Sequence, residues 1–141
     1  MAGKTILEIE SGVKAYSING KYDLEINPTD SAFVEKLYDT FEKLDKNQDA
    51  YKAEIEKAEK REIFDIARRR DAEMREMIDG ILGDGCCQAV FGGMNLYALG
   101  NGLPVWANLL LAVMDEIDTS FSNEQQRANP RLEKYKKKYH R

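Results

Sequence analysis

Apolar and polar positions change rhythm along this chain, and the change divides it into a short β part and a long helical part. Ile6, Leu7 and Ile9, then Tyr16 and Ile18, then Tyr22, Leu24 and Ile26 fall at strand-like spacing, separated by the turn formers Ser11-Gly12 and Asn19-Gly20. This pattern predicts an antiparallel β meander over about residues 4–26. A plain two-residue Asn-Gly loop would pair Ile18 with Lys21 and split the apolar side chains between the two faces. One extra loop residue or a bulge places Tyr16, Ile18, Tyr22, Leu24 and Ile26 on a single face, so the apolar pattern predicts that departure.

Helical spacing takes over at Asn27-Pro28-Thr29-Asp30, where a capping side chain, a proline and an acid announce a helix start. Phe33, Val34, Leu37, Tyr38, Phe41 and Leu44 recur every three or four residues, predicting a helix over about 28–45 laid across the apolar face of the meander. The polar run DKNQDA suits a turn. A long charged helix is expected over about 49–80, polar at its start and apolar later through Ile63, Ile66, Ala67, Met74, Met77, Ile78 and Ile81. Arg68-Arg69-Arg70 fan around that helix among Asp65, Asp71 and Glu73, which reads as salt-bridged surface. The most apolar segment, about 103–121, begins near Pro104 and aligns Trp106, Leu109, Leu110, Val113, Met114, Ile117 and Phe121 on one broad face. The fold class is α+β, mostly α: a small N-terminal antiparallel hairpin or meander, then one long charged helix and an apolar C-terminal helix, as a single domain over 1–121.

Between these helices lies GDGCCQAVFGG, residues 83–93. A phosphate loop would need a lysine followed by Ser or Thr, and a dinucleotide fingerprint would need a preceding strand; neither is present. Cys86 and Cys87 lack the partners of a zinc site, and the lone His140 sits far away in the C-terminal tail. The stretch therefore reads as a joint: Gly83 and Gly85 end the long helix, Asp84 caps a short helix over 86–91, and Gly92 and Gly93 end that in turn. No catalytic, cofactor-binding or metal-binding residue is assigned, and a non-enzymatic protein is expected.

The 141 residues are 43% hydrophobic and 33% charged, with no apolar run long enough to span a membrane. MAGKTILEIE carries acids where a signal peptide has its apolar core, so a cytoplasmic location is expected. The net charge of −4 conceals an asymmetry: residues 122–141 carry +5 and the rest −9. The tail is read as basic and flexible. An acidic body argues against a broad nucleic-acid surface, although a phage or mobile-element protein contacting nucleic acid through Arg68 to Arg70 and the tail is the alternative.

The segments YSINGKYDLEINPTD, FVEKLYDTFEKL and MIDGILGDGCCQAVFGG, leading into a final apolar helix, resemble the tail assembly chaperones of long-tailed phages and of prophages of Gram-positive bacteria, over roughly residues 13–121. The resemblance implies a protein that binds the tape measure protein and recruits tail tube subunits during tail morphogenesis. It would act in the host cytoplasm, form a homo-oligomer, and be absent from the mature virion. The partner-binding surface then expected is Trp106, Leu110, Val113, Met114, Ile117 and Phe121, with Met74 and Met77 as adaptable neighbours. The same stripe is what a single domain would bury.

Overall fold

The computed structural model describes residues 3–127 and 129–132. Strands β1 (Lys14–Ile18) and β2 (Tyr22–Ile26) form a two-stranded antiparallel hairpin. Ile18 lies opposite Tyr22 and Tyr16 opposite Leu24, so the connection holds three residues. Asn19 and Gly20 both take positive φ, and the Lys21 N–H donates to the Ile18 carbonyl at 3.0 Å, which makes a type I′ turn with Lys21 as the extra residue. The bulge puts Tyr16, Ile18, Tyr22, Leu24 and Ile26 on the core side and leaves Ala15, Ser17, Asp23 and Glu25 exposed.

The meander is shorter than its pattern. Residues 3–13 form no strand; Ile6, Leu7 and Ile9 fall at strand-like spacing but stand exposed with no strand beside them.

Helix α1 (Ser31–Lys57) starts three residues later than Pro28 suggested. The Asn27 side chain instead closes a turn, accepting from the Thr29 N–H and hydroxyl at 2.9 and 2.8 Å, and Asp30 caps the helix by accepting from the Ala32 N–H. The helix also runs straight through DKNQDA. With no glycine or proline to stop it, that stretch gains tertiary partners: Gln48 accepts from the Trp106 indole at 2.9 Å, Asn47 donates to the Met77 sulfur, and Tyr51 stacks on Tyr97 with ring centroids 4.1 Å apart. The break falls at Ala58-Glu59, where both residues turn extended.

Helix α2 (Lys60–Leu82) returns antiparallel to α1, since Asn47 meets Met77 and, seven residues on, Glu54 meets Arg70 seven residues back. Helix α3 (Cys86–Phe91) and the two-residue strands β3 (Leu99–Gly100) and β4 (Leu103–Pro104) lead into α4 (Val105–Gln125). The core gathers Leu37 and Leu44 of α1, Met74, Ile78 and Leu82 of α2, Cys86, Cys87 and Val90 of α3, and the inner face of α4. Trp106 tilts against Phe41, with centroids 5.4 Å apart.

The β hairpin covers α3 and α4, contrary to the expectation that α1 would lie across it. Tyr16, Ile18 and Leu24 line one hollow with Leu109 and Val113, while the Tyr22 hydroxyl donates to the Leu82 carbonyl at 3.0 Å. Helix α1 packs on α2 and α4 because Phe33, Phe41 and Tyr51 find their apolar neighbours there. Helix α4 continues four residues past the expected end at 121, and its last turns carry the buried Ser120. Half of the basic tail, including Lys134, Lys136, Lys137, Lys138, His140 and Arg141, lies outside the described residues.

Candidate docking surface and the glycine joint

The glycine-rich joint is held by one polar face of α2. Ala67, Asp71, Arg75 and Asp79 succeed one another at intervals of four, which stacks them along the helix. Each grips the segment that follows. The Ala67 carbonyl accepts from the Asn95 amide at 3.0 Å, and an Asp71 oxygen accepts from the Leu96 N–H at 2.7 Å. The Arg75 guanidinium donates to Asp71 at 2.9 Å and to the carbonyls of Gly92 and Met94 at 2.7 and 2.6 Å. Asp79 accepts from the N–H groups of Cys87 at 2.9 Å and Gly85 at 3.3 Å.

Asp79, not Asp84, therefore caps α3, because it projects from the last turns of α2 directly at the free N–H groups. Sequence reasoning missed this ladder, although its i, i+4 spacing of acid, base and acid is visible in RRRDAEMREMID.

Two glycines of the joint are demanded by geometry. Gly83 takes φ of 121°, and a Cβ placed there would lie 2.1 Å from the Tyr22 hydroxyl oxygen. Gly92 takes φ of 57° with ψ of −130°, a combination that side chains of L residues oppose. Gly85 also has positive φ, at α3's start. Gly93 is the exception: its φ is not positive and a Cβ there would meet open space, so nothing in the backbone requires glycine.

Both cysteines are free and buried. Burial pushes the Cys86 thiol up to about 11, with Asp79 adding to the shift, and burial followed by the Asp79 carboxylate pushes Cys87 further still. The Cys87 thiol faces the Arg75 carbonyl at 3.9 Å. These environments favour the neutral thiol over the nucleophilic thiolate. Among the described residues no group of three or more His, Cys, Asp or Glu could hold a metal ion.

The arginine run is tied down as its spacing suggested. Arg68 pairs with Asp65, and Arg69 and Arg70 both reach Glu54 across the helix hairpin, with Glu73 at 3.7 and 3.5 Å. Hydrogen bonds from Arg70 and then Arg69 lower the Glu54 pKa.

The residues expected to meet a partner divide in two. Trp106, Leu110, Met114, Ile117 and Met74 are buried within the domain, so they are not an exposed docking face; their stripe packs against α1 and α2. Met77 is half-buried beneath Asn47. Val113 is buried as well, at the floor of a furrow between the β hairpin and α4, and of the expected residues only Phe121 stands exposed, beside the same furrow. One hollow of about 250 Å³ is walled by Tyr16, Ile18, Leu24, Leu109 and Val113. Another of about 280 Å³ shares Ile18, Leu109 and Ala112 and extends to Val90, Phe91 and Val105. A more polar hollow carries the line past Ser120 and Phe121 to Glu124 and Gln125. The α4 residues Val105, Leu109, Ala112, Glu116, Ser120 and Glu124 thus form one helical stripe along the furrow. With 21 residues in α4, the furrow extends about 30 Å.

The most fully exposed apolar side chains stand outside the helices: Ile6, Leu7 and Ile9 are 83, 86 and 83% exposed. No described helix is long and apolar enough to cross a membrane.

Comparison with known proteins gives one match. A family model described as a family of unknown function (DUF6673) fits residues 19–141. No curated protein and no solved structure matches the chain.

Proposed function

We propose that this chain, which belongs to the DUF6673 family, is a non-enzymatic assembly chaperone for a long helical partner. The partner is the tape measure protein of a phage tail, as the sequence resemblance implies, and tail tube subunits are recruited to the complex. The protein acts in the cytoplasm of a bacterial host, self-associates, and is left out of the finished virion. The observation that carries this reading is the furrow along α4: its apolar part, from Val105 to Glu116, is about 17 Å long, the length of about three turns of an amphipathic helix, and a polar end continues it. A chaperone of this kind has to present apolar surface while the rest of its exterior stays charged.

Co-expression with a tape measure protein tests the reading. The partner should move from the insoluble to the soluble fraction and co-purify with this chain, and Ala112→Arg, placed on the exposed rim of the furrow, should abolish both effects. Unchanged solubility of the partner would overturn the proposal. The nucleic-acid alternative loses support from the arginine run, whose guanidinium groups are already matched by Asp65, Glu54 and Glu73.

A further inference from the structure

Residues 3–13 form an arm that leaves the body next to the furrow's polar end. The Asn27 amide donates to the Ser11 carbonyl at 2.8 Å, and the Gly12 N–H donates to the Glu10 carboxylate at 3.0 Å. Gly12 has φ of 73°, and a Cβ there would lie 2.7 Å from the Asn27 amide nitrogen. The direction of departure is therefore set by a specific clasp, and Glu10, Ser11, Gly12 and Asn27 line the same hollow as Phe121 and Glu124. Beyond the clasp the chain makes no turn or bend, and Ile6, Leu7 and Ile9 stay clear of their own body.

The arm and the furrow match in length and chemistry. Laid out as a strand, residues 4–12 span about 30 Å at roughly 3.3 Å per residue, the same as the whole furrow with its polar end, and Ile6 to Ile9 span about 10 Å, within its apolar part of about 17 Å. Three large aliphatic side chains face water on one element, while a shallow apolar trough floored by the buried Leu24, Leu109 and Val113, with Ala112 exposed on its rim, lies on another. We infer that two copies of this chain exchange arms, each laying Ile6, Leu7 and Ile9 in the furrow of the other and so covering the surface assigned above to the helical partner.

Area arithmetic favours a reciprocal exchange over capture of a single strand. Burying one Ile or Leu side chain removes about 60–120 Å² from water, so three on one arm, together with the little that the mostly buried furrow wall still exposes, remove roughly 300–550 Å². That falls well short of the roughly 1,000 Å² expected of a specific interface, whereas two arms exchanged about a two-fold axis remove roughly 600–1,100 Å² and approach it. The inference rests on the furrow being a docking groove, as in the function proposed above. It adds a form of regulation: the helical partner has to displace the arms.

Sedimentation velocity of the full chain alone, from about 1 to 200 μM, tests the exchange without any partner. The parent should dimerise. Ile6→Asp/Leu7→Asp/Ile9→Asp, which alters only exposed positions, should weaken dimerisation by at least ~100-fold with an unchanged circular dichroism spectrum and melting temperature. Ala112→Arg should do the same from the furrow side. An equal mixture of the two variants retains one intact arm and one intact furrow, so it should form heterodimers at the highest concentrations, detectable by cross-linking of differently tagged chains. A parent that is monomeric throughout, an arm variant that dimerises like the parent, or a mixture that fails to cross-link would each overturn arm exchange. None of these results bears on whether a tape measure protein is solubilised by co-expression, so the two ideas fail separately.

Discussion

Replacing Arg75 by methionine removes the centre of the α2 ladder while keeping most of the stem's packing. Three hydrogen bonds go: those to the Gly92 and Met94 carbonyls at 2.7 and 2.6 Å, and that to Asp71 at 2.9 Å. Bonds involving a charged group contribute about 1.5–3 kcal/mol each, and the side chain is 19% exposed, so the lower figure applies to each carbonyl bond. Asp71 is left without its cation but keeps the Leu96 N–H, which adds a further cost of about 1 kcal/mol. The expected loss is therefore about 4 kcal/mol, large against the 5–15 kcal/mol typical of a whole domain. The melting temperature should fall by about 10–15 °C.

Trp106 is the sole tryptophan and is buried against Phe41, so urea unfolding followed by its fluorescence reads the effect directly. Arg75→Lys, which keeps the charge but loses the forked geometry, should fall between parent and methionine variant and provides a folded reference if the latter is too unstable. A methionine variant within about 1 kcal/mol of the parent, at unchanged denaturant slope, would refute the view that this arginine holds the joint together.

Four further outcomes follow from the same region. Gly83→Ala should cost at least about 3 kcal/mol, and Tyr22→Phe, which removes the oxygen nearest the new methyl, should recover part of that loss; strictly additive effects in thermal melts would contradict the close approach. Gly92→Val should destabilise by about 2 kcal/mol or more whereas Gly93→Val should stay within about 1 kcal/mol, and equal losses at both would show that positive φ is not the reason. With its thiol held at about 11 in place of 9, Cys86 should be alkylated at pH 8 at least ~100-fold more slowly in the native than in the denatured chain. Since the unfolded thiol ionises first, stability should be fully present below pH 9 and decline towards pH 11, visible as a falling urea midpoint; a midpoint that held level would count against a buried neutral thiol.

The sequence carried more information about faces than about boundaries. The bulged hairpin was legible because only one register brings Tyr16, Ile18, Tyr22, Leu24 and Ile26 together. The pairing of Arg68 to Arg70 was legible from neighbouring acids, but Glu54 was not, since it arrives from another helix. Where α1 ends could not be read: DKNQDA looks like a turn by polarity yet has no residue that breaks a helix, and the true bend at Ala58-Glu59 is unmarked in a run of Ala, Glu and Lys. The candidate surface was half-legible for a related reason. Trp106, Leu110 and Ile117 follow the same spacing whether a helix faces its own core or a partner, and only the packing of α1 beneath them decides. Ile6, Leu7 and Ile9 showed the converse, a strand pattern with no strand to complete it.

The carboxylate of Asp79 has a consequence for motion. By composition, residues 83–93 should be the loosest part of the body, yet the amides of Gly85 and Cys87 end on a side chain of α2 and the carbonyls of Gly92 and Met94 end on another. The Cys87 amide, on a buried residue, reaches solvent only when the last turns of α2 yield, whereas the Gly85 amide is exposed beside it. In a hydrogen-exchange experiment the Cys87 amide should therefore exchange together with the C-terminal half of α2, as one cooperative opening unit, and the Gly85 amide faster. The glycines allow the chain to bend here, and the ladder keeps the bend from becoming a hinge that swings.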